Sequence, residues 1–339
     1  MAAQTHRASV LSLIGRTIDD HYQILSVLGE GNMGAVYKAE QKDGPPVAIK
    51  VLHEELGDQI ELRERFEREF KALFRLEHPN ILKVHDFGIV DGSPYLVMEL
   101  LSGMTLDEYI EEHTTDDAFT LPPEQAIDII KQILRGLAHA HAQNAAHRDM
   151  KSENVWVQPR PGGGVDVKIL DFGLVKFTDG KKWSDERKLT MQGMVFGSPG
   201  YMPPEQCTGK PTDERSDVYS LGVLLFELLT GVWPFMEENQ VQMFQAHLMK
   251  PPPSLASSVP EGVRIDPALE ALYQKAMAKN PADRFPTAGA MLAALEAIAV
   301  PASRGAGPAS SGKGLDPRLL AAAGVGVLVV GGLLYLLLS

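Results

Sequence analysis

The chain has 339 residues, 44% of them hydrophobic and 22% charged, enough for a sizeable core and about two domains. Its 44 acidic side chains outnumber 32 basic ones for a formal net charge of -12; without an overall positive field, a general role in binding DNA or RNA is disfavoured. The 1 cysteine, Cys207, excludes an intramolecular disulfide and a cysteine-built zinc site and points to a reducing setting.

In chain order, residues 10–14 are apolar but broken by Ser12 and too short for the core of a signal peptide, so residues 1–21 read as an N-terminal extension. From 22 to about 100, the runs YQILSVLG, AVYKAE, PVAIKVL, ILKVHDFGIV and PYLVMELL alternate with Gly-, Asp- and Pro-bearing turns, which predicts strands. One helix interrupts them at 60–76, where Leu62, Phe66, Phe70, Leu73 and Leu76 recur at helical intervals. Beyond about 104 the pattern turns helical, over 121–144, 217–230, 241–248, 267–279 and 287–299. The expected architecture is α+β, with a β-rich lobe at about 22–101 and a helical lobe at about 102–298.

Residues 299–318 are rich in Gly, Pro and Ser and read as a juxtamembrane linker whose coil spans roughly 20–25 Å. Residues 319–338, LLAAAGVGVLVVGGLLYLLL, carry no charge, and ~20 helical residues cross the ~30 Å bilayer core. A C-terminal transmembrane helix is expected there. Arg304, Lys313 and Arg318 on its near side predict a single-pass protein of the cell membrane with its folded region in the cytoplasm.

Several motifs carry chemistry. Gly29, Gly31 and Gly34 form G-x-G-x-x-G directly after a predicted strand, and the residues that follow still read as strand. That context differs from a dinucleotide fold, where the motif opens a helix. Glycines there let backbone N–H groups approach phosphate oxygens. Lys50 lies on the strand of Val47-Ala48-Ile49-Lys50, and Glu69 lies on the predicted helix, a pair able to orient an ammonium toward an anionic ligand. Further on come His147-Arg148-Asp149-Met150-Lys151-Ser152-Glu153-Asn154 and Asp171-Phe172-Gly173. His139 and His141, two apart on a helix, do not face one another as metal ligands would.

On these motifs, in this order, residues 22–298 resemble a protein kinase of the eukaryotic-like (Hanks-type) Ser/Thr family found in bacteria. The resemblance implies a bilobal fold and phosphoryl transfer from ATP with Mg²⁺, Mn²⁺ being an alternative ion. It further implies that Leu28, Gly29, Gly31 and Gly34 cover the nucleotide, that Lys50 holds its α- and β-phosphates, and that Glu69 holds Lys50. Val36 and Ala48 are expected over the base, Met98 as gatekeeper, and the backbone of Glu99 and Leu101 as hydrogen-bonding partners of adenine. Asp149 matches the catalytic-loop aspartate, Lys151 the lysine beside the transferring phosphate, and Asn154 and Asp171 the metal ligands.

The lysine two positions after Asp149 is the Ser/Thr pattern. Glu205 and Arg284 match the pair that braces the helical lobe, and Asp217 the aspartate supporting the catalytic loop. Ser198 stands where threonine is usual, and Pro203-Pro204-Glu205 has proline in place of alanine. Trp156 falls where the family puts a smaller apolar residue beneath adenine, read either as simple packing or as a narrowed nucleotide pocket. Arg148 before Asp149 implies activation-loop phosphorylation, with Thr190 the favoured site and Ser198 seating substrate. Expected partners are proteins with Ser/Thr acceptors, the lipid bilayer through 319–338, and a second copy for phosphorylation in trans. A catalytically silent scaffold is disfavoured by the intact Lys50, Asp149, Asn154 and Asp171, and a small-molecule kinase by the peptide-supporting segment 197–205.

Overall fold

The computed structural model describes residues 13–31, 34–52, 74–114, 119, 121–172 and 199–298. Six antiparallel strands form the first sheet: β1 (Thr17–Ile18), β2 (Tyr22–Gly31), β3 (Gly34–Gln41), β4 (Val47–Leu52), β5 (Val84–Val90) and β6 (Ser93–Glu99), in the order β1-β2-β3-β4-β6-β5. The sheet curls until its edges meet. Tyr22 on β2 donates to Asp86 on β5 at 3.1 Å, Tyr95 on β6 donates to Asp19 just after β1, and Arg16 grips Asp91 in the β5–β6 turn. Residues 13–21, read as an extension, therefore contribute a strand, and Leu13 and Ile18 join the core of this lobe.

Strand alternation divides the sheet into two faces. Ala35, Tyr37, Ala39, Val47, Ile49, Val51, Tyr95 and Val97 pack together as one core. Val36 pairs with Lys50, Lys50 with Leu96, and Ala48 with Met98, so these residues share the opposite face, which borders the cleft.

The second lobe is built on α1 (Leu106–Glu112), α2 (Pro123–Ala142), α3 (Pro204–Cys207), α4 (Glu214–Thr230), α5 (Gln240–Met249), α6 (Leu255–Ser258), α7 (Pro267–Ala276) and α8 (Ala288–Glu296). On α2 a stripe of Ala126, Ile127, Ile130, Ile133, Leu134 and Leu137 is buried at helical spacing. On α4 every residue from Ser216 to Thr230 is buried, the signature of a central helix enclosed on all sides. It begins three residues before the expected 217 because Asp213 caps it through Arg215 N, and it stops at Gly231, whose φ of 77° ends the helix in the left-handed region. The helix expected over 267–279 ends at Ala276, where the chain turns toward Arg284. The predicted helix at 60–76 lies largely outside the described residues, and its last positions, 74–76, are not helical.

Three strands inside this lobe form a second sheet: β7 (Met104–Thr105), β8 (Val155–Pro159) and β9 (Val165–Ile169). Gln132 of α2 holds β9 by donating to Val165 O at 2.9 Å and accepting from Val167 N at 3.0 Å. Asn80 adds a bond to Val167 O and accepts from Ile169 N. These bonds fix the strand that delivers Asp171 to the cleft. Among the described residues no helix is long and apolar enough to cross a membrane; residues 319–338 lie outside them.

Candidate active site

The upper wall of the cleft follows from β2, β3 and β4. A Cβ on Gly34 would sit 2.0 Å from Val51 O, so only glycine lets the β2–β3 hairpin lie this close to β4. At Gly29 and Gly31 a Cβ would meet no described atom within 4 Å, which leaves the backbone of β2 approachable from the cleft. Leu28 is exposed beside them, Val36 is half-buried, and Ala48 and Met98 are buried on the cleft face.

The link between the lobes is tied to the second sheet. Glu99 N–H is committed to Lys83 O at 3.0 Å, so of its backbone groups only the carbonyl can serve a nucleotide base. The Glu99 carboxylate accepts from Lys83 N and from Lys168 Nζ, both at 2.7 Å. Trp156 Nε1 donates to Ser102 O at 2.8 Å. Trp156 pairs across strands with Lys168 and alternates with Val155 and Val157, which are buried in the helical lobe; its ring and Lys168 therefore share the face turned toward the link. Gly103 completes the junction, with φ 109° and a virtual Cβ 2.2 Å from Val157 O. Leu101 is half-buried within this segment.

The lower wall is the loop from His147 to Asn154. Asp217, buried on α4, accepts from His147 N at 2.8 Å, Arg148 N at 2.7 Å and His141 Nε2 at 2.8 Å. Because His141 Nδ1 accepts from Ala288 N at 3.2 Å, the proton of this imidazole sits on Nε2 and points at Asp217. His141 thus belongs to the support of the loop. Arg148 is held at φ 68° and Asp171 at φ 51°, left-handed conformations that cost of order 1–3 kcal/mol and need such support. His147 Nε2 bonds Leu170 O at 2.8 Å, and Leu170 N donates to Asn154 O at 2.9 Å, so the loop and the residue before Asp171 move as one.

Asn154 Nδ2 donates to Asp149 O at 2.7 Å and to Asp149 Oδ2 at 3.0 Å. Lys151 Nζ lies 3.6 Å from the same Oδ2. Among the described residues, Asp149 Oδ1 carries no hydrogen bond. Lys50 Nζ crosses the cleft to Asp171, at 2.9 Å from Oδ1 and 2.8 Å from Oδ2. Asp171 remains 35% exposed at its side chain, open to a ligand.

This donor set fits a nucleotide with a divalent cation. Because Asn154 Nδ2 is spent on Asp149, Oδ1 is the atom it can offer a metal. With the Asp171 carboxylate it makes a hard-oxygen pair of the kind that holds an ion through a few protein ligands, waters and phosphate oxygens. Lys50 supplies positive charge opposite.

Glu205 and Arg284 meet away from the cleft. Arg284 Nη1 and Nη2 each reach a Glu205 oxygen at 2.8 Å, Ser216 Oγ donates to Glu205 Oε1 at 2.7 Å, and the remaining guanidinium N–H groups bond the carbonyls of Ala278, Arg215 and Lys279. Burial works to raise the Glu205 carboxyl, but Arg284 and Ser216 outweigh it and hold it below its ordinary value. Burial pushes the Cys207 thiol up to about 12, keeping it protonated. Glu69, Thr190 and Ser198 lie outside the described residues. Sequence reasoning missed the bonds of Trp156 and Lys168 to the inter-lobe link and the buried Ser152–Tyr201–Glu227 contacts.

A curled antiparallel sheet above a helical lobe, with a lysine, two aspartates and an asparagine across the cleft, is the bilobal protein kinase fold. Residues 22–294 match the family model described as protein kinase domain, and the chain belongs to that family. It is 39% identical over 287 residues to the serine/threonine-protein kinase pkn3 of Myxococcus xanthus, covering 84% of this chain and 51% of that protein. It is 38% identical over 280 residues to PrkC of Bacillus subtilis, covering 81% and 40%. Among solved structures, the PknI kinase domain of Mycobacterium tuberculosis aligns at a TM-score of 0.63 and 26% identity, over 83% of this chain and 97% of that one. The chain spans about half or less of the curated relatives it matches, and the part they share is a Ser/Thr protein kinase domain.

Proposed function

We propose that this protein is a membrane-anchored Ser/Thr protein kinase that transfers the γ-phosphoryl group of ATP to Ser and Thr hydroxyls of proteins. The observation that carries the reading is the convergence of Lys50 and Asp171 with Asp149, Lys151 and Asn154 around one cleft. Supporting it are the matches to bacterial Ser/Thr kinases, and Lys151 two residues after Asp149.

In this reading Asp149 orients the acceptor hydroxyl and takes its proton at Oδ1, while Asn154 and Lys151 hold Oδ2 in place. Lys50 neutralises phosphate charge, leaving Asp171 to the cation; Lys151 stabilises the oxygens of the group in transit. Mg²⁺, or Mn²⁺ in its place, would be held by Asn154 and Asp171 and would offset the negative charge of the phosphates. Val36, Ala48, Met98 and Trp156 line the base site beside Glu99 and Leu101, under Leu28, Gly29, Gly31 and Gly34.

The kinase autophosphorylates on its activation segment, with Thr190 the favoured site and Ser198 seating the substrate. Anchoring through 319–338 concentrates copies at the cytoplasmic face of the cell membrane and favours trans phosphorylation within a homodimer. The test is to give the full chain labelled ATP and Mg²⁺ with a protein mixture or with small hydroxyl compounds, and to fractionate cells expressing it. Phosphoserine or phosphothreonine in protein and recovery with membranes are expected. Label confined to small molecules, or a protein wholly in the soluble fraction, overturns the corresponding part.

A further inference from the structure

Behind the catalytic loop lies a buried polar chain that the transfer chemistry leaves unused. Ser152, 2% exposed within that loop, has its Oγ 2.8 Å from the hydroxyl of Tyr201. Tyr201, within the peptide-supporting segment 197–205, donates to Glu227 Oε2 in the last turn of α4. Trp233 Nε1 donates to Glu227 Oε1 at 2.9 Å and reaches the Tyr201 oxygen at 3.2 Å. Glu227 is 8% exposed, and among the described residues no lysine or arginine pairs with it. A carboxylate buried on a central helix without a cation is costly, and its partners here are two neutral donors.

We infer that Ser152, Tyr201 and Glu227 form a proton-ordered strut that holds the catalytic loop against the peptide-supporting segment, which makes Tyr201 and Glu227 positioning residues for phosphoryl transfer. The inference rests on the kinase reading above for what the two tied segments do. With Glu227 ionised, every proton runs one way: Ser152 donates to Tyr201, Tyr201 to Glu227, and Trp233 to the other carboxylate oxygen. With Glu227 protonated, its O–H donates to Tyr201 and the Tyr201 proton turns to Ser152. The Ser152 proton is then left for Glu153 Oε2, 3.4 Å away. One proton is gained, at Glu227; the hydroxyls only rotate. Charge-assisted bonds are about twice as strong as neutral ones, so the ionised form is the tighter strut.

The groups facing Glu227 are Tyr201, Trp233 from the loop after α4, Glu153 from the catalytic loop and Asp107 from α1. Burial is the largest influence on Glu227; with Glu153 and Asp107 it outweighs the bonds from Tyr201 and Trp233 and pushes the carboxyl up to about 7. The strut therefore changes state near neutral pH, tightening as pH rises.

The test uses the full chain, with initial rates on a protein substrate across pH for wild type, Ser152→Ala, Tyr201→Phe and Glu227→Gln, and amide exchange of residues 150–154 measured in parallel. Tyr201→Phe should lower kcat about five- to tenfold while KM for ATP moves less than about twofold. Ser152→Ala should add little on top of it, because both break the same strut. Glu227→Gln should erase an inflection near neutral pH, and the protection of 150–154 relative to the intrinsic exchange rate at each pH should fall in each variant and on acidification of wild type. Additive losses, an inflection that survives Glu227→Gln, or protection indifferent to pH and variant overturns the strut. A wild type without phosphoryl transfer overturns the kinase reading instead, and the exchange data still decide whether the strut exists.

Discussion

The carboxylates of Asp171 and Glu205 each meet a cation at 2.8 Å, yet they stand in opposite surroundings. Asp171 is 35% exposed at its side chain and reaches across the cleft from the helical lobe to Lys50 on the sheet. Glu205 is 6% exposed, and the Arg284 it binds is 0% exposed, deep in the helical lobe. Every guanidinium donor of Arg284 is used. The first pair sits where ligand phosphates and a cation can take over each partner; the second has no donor to spare and no access. A contact made for chemistry is one that can be exchanged, whereas a contact made for architecture is closed on all sides.

Mutations should separate the two. Arg284→Met leaves Glu205 buried without its cation and should cost about 3–5 kcal/mol of stability, read as a large drop in Tm of the full chain; a Tm close to wild type would contradict the bracing role. Lys50→Met should do the reverse, lowering kcat/KM by about 10²–10³-fold while leaving Tm nearly unchanged. Matching losses of stability in both would erase the contrast.

Acid sharpens the comparison inside the helical lobe. His247 is buried and neutral, its pKa pushed down to about 4 by burial and by Lys279. Between 6.5 and that value the unfolded chain binds a proton that the folded chain refuses, so stability falls on acidification through this window. Glu227 acts in the opposite sense: raised by burial to about 7, it keeps its proton in the fold where the unfolded carboxyl has lost it, and stability falls as pH rises from 4.5 toward 7. Melting curves should therefore show His247→Gln flattening the acid limb by about 1–3 kcal/mol. An unchanged slope would show that His247 titrates alike in both states.

The smallest effect belongs to the inter-lobe link. Trp156→Phe keeps an aromatic ring but loses the bond to Ser102 O, worth about 0.5–1.5 kcal/mol. A rise in KM for ATP of about two- to tenfold with kcat unchanged is expected, and an unaltered KM would mean that the indole N–H does not help to hold the base site.

Much of this was legible in the residues. Alternation at Val36, Ala48 and Lys50 already implies one shared strand face, and the spacing of Asp149, Asn154 and Asp171 names the lower wall. The contacts of Trp156 with Ser102 and of Lys168 with Glu99 were not legible, because they join residues 54 and 69 apart in sequence with no pattern linking them. Glu227 gave no signal either: a glutamate in FELL reads as a solvent-facing helix charge until the helix proves to be enclosed on all sides. The depth of the α4 column comes from tertiary packing, which periodicity does not encode when a helix has no polar face.

The most direct test of the central claim is autophosphorylation of the full chain with labelled ATP and Mg²⁺, beside Asp149→Ala, with nucleotide binding measured on both proteins. Label on Ser or Thr in wild type, a loss of about 10²–10⁴-fold in the variant, and ATP bound equally by both are the predicted result. Equal labelling of the two proteins, or bound ATP with no transfer by wild type, would contradict the assignment of Asp149 and its neighbours to phosphoryl transfer.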